Sequence, residues 1–109
     1  MHELGITQEI LEVITENADE RKVRRVVLEI GRLSCVLPDA VRFCFELCAE
    51  GTLAEGAKLE ILEPPGLGKC RACGAEFPLY EAFARCVCGG SDIEWLRGEE
   101  LKIKSMEVV

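Results

Sequence analysis

The sequence predicts an α+β fold: a small sheet of three strands with two helices, and a four-cysteine module inserted between two of those strands. Three observations predict it. Apolar residues recur at helical spacing in two stretches, apolar and polar residues alternate in three others, and four cysteines crowd together after a Pro/Gly break.

Residues 4–18 read as a helix, because Ile6, Ile10, Val13 and Ile14 fall at helical spacing while Glu9, Glu12 and Glu16 face elsewhere. Asn17 to Lys22 is polar and ends the pattern. Residues 23–31 read as a strand, with Val26, Leu28 and Ile30 alternating with Arg25, Val27 and Glu29; Gly31 and Ser34 then suggest a turn. Pro38 followed by Asp39 marks a helix start, proline fitting the first turn and the acid complementing the positive end of the helix dipole. Val41, Cys44, Phe45 and Cys48 form an apolar stripe on that helix, and Gly51 is its stop. Residues 57–63 and 99–108 alternate again and supply the second and third strands, with Leu101 and Ile103 on one face of the last.

Between them stands Pro64-Pro65-Gly66-Leu67-Gly68, a break in composition that reads as a boundary, since proline donates no strand hydrogen bond and glycine permits sharp turns. The block 69–91 shows little periodicity. The expected organisation is an α/β domain of residues 1–63 together with 97–109, and a cysteine module of residues 64–96. A chain of 109 residues is long enough for one modest core.

Composition excludes several functions. Twenty acids against 13 bases give a formal charge of −7, unsuited to nucleic acid or to an anionic membrane as the main partner. No apolar run approaches membrane-spanning length and no signal peptide is visible, so the cytoplasm is the expected compartment. Seven cysteines, an odd number without a secretion signal, point to metal ligation or buried thiols in preference to disulfides. The exposed edges of a three-stranded sheet offer a route to a homodimer or to partner docking.

Four of the cysteines are spaced Cys70-x2-Cys73-x12-Cys86-x-Cys88. Four thiolates can close a tetrahedral zinc site, and Gly74 and Gly89 sit where the chain must wrap back so that backbone N–H groups face the sulfurs. The second pair is one residue short of Cys-x-x-Cys, so its turn must differ. A closed site of this kind organises folding and does no chemistry. Lys69, Arg71 and Arg85 stand against Glu76 and Glu81; with four thiolates and one zinc ion the module is locally negative, which disfavours a DNA-binding ribbon. Cys44 and Cys48 lie four residues apart on the apolar stripe and read as small buried hydrophobes.

The other chemical feature is the start of the chain, Met1-His2-Glu3, which holds the only histidine. The Met1 α-amine, the His2 amide nitrogen and the His2 imidazole lie along a short stretch, and one ion can take all three through small chelate rings. The Glu3 amide nitrogen or carboxylate can fill a fourth position. Four nitrogens in a plane suit Ni(II) or Cu(II), whereas zinc prefers a tetrahedron. With no second histidine to pair with and no phosphate-binding glycine loop, nothing points to an enzyme.

Taken together, "MHELGITQEILEVI", "VVLEIGRLSCVLPDAVRFCFE", "CGAEF" and "LKIKSMEV" make the whole chain resemble the HypA/HybF hydrogenase-maturation nickel metallochaperones. The resemblance implies a nickel site at Met1, His2 and Glu3, with His2 the essential side chain. It implies structural zinc on Cys70, Cys73, Cys86 and Cys88. It implies delivery of nickel to the large subunit of a [NiFe]-hydrogenase with a partner nickel GTPase, HypB, and in some organisms service to urease. Family members usually carry Cys-x-x-Cys in the second half-site, where this chain has Cys86-Val87-Cys88-Gly89. The alternatives are a zinc-ribbon protein–protein adaptor without nickel delivery, a small thiol-redox enzyme using Cys70 and Cys73, and a nucleic-acid-binding ribbon.

Overall fold

The computed structural model describes residues 3–81 and 83–109. Element order is α1 (Glu3–Asn17), β1 (Val23–Ile30), α2 (Pro38–Ala49), β2 (Lys58–Leu62), β3 (Gly66–Cys70), β4 (Glu76–Leu79), β5 (Ile93–Arg97) and β6 (Leu101–Val108). The chain divides into two compact units, one of residues 1–28, 36–62 and 102–109 and one of residues 29–35 and 63–101.

The first unit contains both helices and the sheet β2-β1-β6, so the cysteine-bearing segment is inserted between two strands of one sheet, as the sequence predicts. Thr7, Ile10, Leu11 and Ile14 form the buried stripe of α1. This is rotated slightly from the stripe expected: Val13 is exposed, and Thr7 is fully buried. A buried hydroxyl is tolerated because Thr7 Oγ1 donates to the Glu3 carbonyl at 2.7 Å. Helix α2 has proline in its first turn and buries Val41, Phe45 and Ala49. Cys44 and Cys48 are only half-buried. Arg42 Nη1 donates to the Leu59 carbonyl at 2.7 Å and ties this helix to β2. Across the sheet, Arg25 of β1 pairs with Glu60 of β2, and Arg24 lies 3.7 Å from Glu107 of β6.

The second unit holds a three-stranded antiparallel sheet, β4-β3-β5, that the periodicity does not predict. Gly66 and Gly68, expected to form a break in composition, are strand residues of β3. Glycine serves there because there is no room for anything else. A Cβ on Gly68 would lie 2.7 Å from both Ile93 Cγ2 and Leu79 Cδ1, and one on Gly66 would strike Leu33. Leu33 is buried in this unit, held by its N–H donating to the Gly98 carbonyl at 2.8 Å, while Gly31 N–H donates to the Glu100 carbonyl at 2.7 Å. The expected turn at Gly31 is present, closed by the Ser34 N–H on the Gly31 carbonyl at 3.1 Å.

Candidate metal centre

The end of β3, and the turns after it and before β5, bring Cys70, Cys73, Cys86 and Cys88 together, with their four sulfurs all within 4.8 Å of one another. Cys70 Sγ lies 3.7 Å from Cys88 Sγ, and Cys73 Sγ lies 3.5 Å from Cys86 Sγ. Sulfurs about 2.3 Å from a central ion at tetrahedral angles are separated by about 3.8 Å, so the donor set fits one four-coordinate metal ion.

The two half-sites reach this geometry by related turns of different length. In the first, Gly74 N–H donates to the Cys70 carbonyl at 2.8 Å, and Cys70 N–H donates to the Ala75 carbonyl at 2.9 Å. In the second, Gly89 N–H donates to the Cys86 carbonyl at 2.9 Å, and Cys86 N–H to the Gly90 carbonyl at 3.0 Å. Each bond in the second turn spans one residue fewer, which absorbs the missing residue of Cys86-x-Cys88. Gly74 and Gly89 take φ of 78° and 93°, the left-handed region that glycine enters without steric cost. Gly90, which cysteine spacing alone does not mark, completes the second turn. Its N–H faces Cys88 Sγ at 3.4 Å, and a Cβ there would lie 3.0 Å from Cys70 Sγ. The doubled glycine after Cys88 was the available signal.

The thiols are electrostatically unequal. The Cys73 N–H, donating to the Cys70 sulfur, lowers that thiol to about 7 against the opposing effect of burial, assisted by the Ala72 N–H and the thiols of Cys88 and Cys73. For Cys88, the Gly90 N–H favours ionisation, but the sulfurs of Cys86, Cys70 and Cys73 together with burial outweigh it and push the thiol up to about 12. Cys73 is also raised: the Ala75 N–H lowers it, and the Cys86 and Cys70 thiols with burial prevail. Cys70 ionises most readily, while Cys73 and Cys88 hold their protons more firmly. Metal binding here therefore releases protons and strengthens as pH rises.

Of the second expected site, Met1 and His2 lie outside the described residues. Glu3 is the first residue of α1, and its Oε2 accepts the Leu37 N–H at 3.2 Å, tethering the start of α1 to the start of α2. Cys35 is exposed, and with the half-buried Cys44 and Cys48 it stands apart from the four-sulfur group.

Comparison with known proteins places this geometry in context. Residues 1–108 match the family model described as hydrogenase/urease nickel incorporation, metallochaperone, HypA. The hydrogenase maturation factor HypA of Trichormus variabilis is 58% identical over 108 residues, covering 99% of this chain and 96% of the relative. That of Geotalea uraniireducens is 50% identical over 109 residues, covering 99% of each. The solution structure of the Ni metallochaperone HypA from Helicobacter pylori superposes with a TM-score of 0.70 at 25% identity, covering 100% of this chain and 98% of the other. With a family model spanning nearly its whole length and relatives matched end to end, the chain belongs to the HypA family of hydrogenase and urease nickel-incorporation metallochaperones.

Proposed function

We propose that this chain binds Ni(II) at Met1, His2 and Glu3 and delivers it during [NiFe]-hydrogenase maturation, with zinc as a resident structural ion on Cys70, Cys73, Cys86 and Cys88. The observation that carries this reading is the family match over residues 1–108, which takes in both donor sets. HypB, as nickel GTPase, and the hydrogenase large subunit are the partners the reading assigns; the cytoplasm is the compartment. Nickel is cargo, and no catalytic role is assigned to any residue.

The two donor sets suit different ions. Four thiolates in a closed tetrahedron favour zinc, whose binding energy in small thiolate peptides is about 10–16 kcal/mol, enough to organise a short segment. The Met1 amine, the His2 amide and the His2 imidazole favour a square-planar ion. The Glu3 carboxylate is engaged with the Leu37 N–H, which favours the Glu3 backbone nitrogen as the fourth ligand. Protonation of amine and imidazole weakens such a site, so release is gated by pH or by a partner.

The test is a nickel titration of zinc-loaded protein, followed by absorption and mass spectrometry. The native chain is expected to bind one nickel with a square-planar spectrum. His2→Ala, and a version with one residue added before Met1, are expected to lose that spectrum, while Glu3→Gln keeps it. Equal binding by native and extended protein would remove the amine from the ligand set. No binding by either would leave the zinc-ribbon adaptor as the better account.

A further inference from the structure

Helix α2 carries more apolar surface than the core uses. Its buried stripe is Val41, Phe45 and Ala49. Phe43 and Leu47, one turn apart, face away from that stripe with 64% and 56% of their surfaces open, and Ala40 precedes Phe43 on the same side. At about 100° per residue, Asp39, Glu46 and Glu50 fall on the flank of Phe43 opposite Leu47. The outer face is thus two parallel strips, one apolar and one acidic. The acidic strip leads into a surface cavity of about 550 Å³, lined by Phe45, Ala49 and Ala54 and by the carboxylates Glu46, Glu50 and Glu55. Glu55 Oε1 accepts the Gly51 N–H at 2.8 Å.

Asp39 complements the N-terminal end of the helix dipole, but among the described residues neither the apolar strip nor the acids at the C-terminal end stabilise the isolated chain. Exposed large side chains side by side on one helix face gain nothing in water. Acids at the C-terminal end oppose the negative pole of the helix dipole, and no basic residue occupies the last turn to compensate. One kind of ligand relieves both. We propose that the outer face of α2, with the acidic cavity at its C-terminal end, docks a basic amphipathic helical segment of a partner protein. The partner's apolar side chains would cover Phe43 and Leu47, and its lysines or arginines would enter among Glu46, Glu50 and Glu55. Charge argues against a second copy of this chain, since packing α2 on itself sets Asp39, Glu46 and Glu50 against the same acids. The inference stands apart from the metal chemistry and survives if the nickel reading fails.

The test uses the full, zinc-loaded, 15N-labelled chain and three synthetic peptides of about 18 residues, or five helical turns. These are a Leu/Lys amphipathic helix, a scramble of the same composition, and a Leu/Glu counterpart. The Leu/Lys peptide is expected to shift amide signals within residues 39–57 and to bind at least about tenfold more tightly than the other two. Phe43→Ser with Leu47→Ser is expected to weaken it at least about tenfold. Glu46→Gln with Glu50→Gln, which leaves the apolar strip intact, is expected to weaken it and flatten its salt dependence. Unchanged binding by both variants, shifts centred elsewhere, or equal binding of the scramble would overturn the proposal. So would sedimentation showing a dimer that Phe43→Ser with Leu47→Ser dissociates, which would make a second copy the occupant.

Discussion

Replacing Gly68 by alanine separates two opposing rules. In a strand, alanine for glycine restricts the unfolded chain and supplies a side chain to pack, a gain of about 0.5–1 kcal/mol. Here the new Cβ would stand 2.7 Å from Ile93 Cγ2, 2.7 Å from Leu79 Cδ1 and 2.9 Å from Leu79 Cγ. Leu79 is 1% exposed and has nowhere to retreat, and Ile93 Cγ2 branches directly from Cβ, so its position follows the backbone. Overpacking of this kind costs about 1–3 kcal/mol. At mid-range the overlap wins by about 1.25 kcal/mol, and at a urea dependence of about 1.25 kcal/mol per molar the midpoint falls by roughly 1 M. Trp95 is the only tryptophan and is the cross-strand partner of Gly68, so its fluorescence reports the affected sheet directly. The measurement is urea unfolding at fixed excess zinc. Gly5→Ala supplies the mirror: a Cβ there meets nothing within 4 Å, and inside α1 it is expected to stabilise by about 0.5–1 kcal/mol. A Gly68→Ala midpoint equal to or above that of the native chain would refute the close-approach account of β3.

Leu79→Ala removes a side chain that is 1% exposed and is expected to cost about 2–5 kcal/mol, read from the same Trp95 transition. On the zinc assignment proposed above, Cys88→Ser, which leaves three sulfurs of the four, is expected to lower bound zinc from one equivalent to none in the presence of a competing chelator, by elemental analysis. The Glu60 carboxyl is held below its ordinary value of 4.5, first by the hydrogen bond from Arg25 and then by the Arg25 charge. A depressed folded value means the stabilising contribution is present above about 4.5 and is lost as pH falls through the depressed value. Thermal unfolding of the native chain and Glu60→Gln is therefore expected to show a gap at neutral pH that closes on acidification; a gap independent of pH would contradict it.

Much of the first unit was legible because its elements advertise a period. The helical stripes of α1 and α2 follow from each helix having one face toward a core, whereas β1 buries Val27 as well as Val26 and Leu28, and β6, with Leu101 exposed, alternates in sequence without burying any residue fully. Even there, the exact face was not readable: Thr7 joins the buried stripe and Val13 leaves it because a local hydroxyl–carbonyl bond makes threonine acceptable inside. The second unit was opaque for a physical reason. Strand β3 reads Gly-Leu-Gly-Lys-Cys, and two of its three buried positions are glycine, since the space there is filled by Leu33, Leu79 and Ile93 from other segments. A residue that packs by having no side chain leaves no hydrophobic signal.

The four cysteines were legible as one group from spacing, because chelating thiolates must sit in short turns, and the shortened second half-site announced an altered turn. Which sulfurs neighbour which, and that the turn tightens by one residue and draws Gly90 against the cluster, required the folded chain. The same division holds for α2. Its sequence is apolar on more than one side, and local periodicity cannot say which stripe a core will take. By itself the sequence determined where helices and strands of the first unit form, that four cysteines make one group, and which family the chain resembles, because these depend on residue type and short-range spacing. Only tertiary structure decided the glycine-built second sheet, the pairing of the sulfurs and the face of α2 left in water, because each depends on atoms supplied by distant parts of the chain.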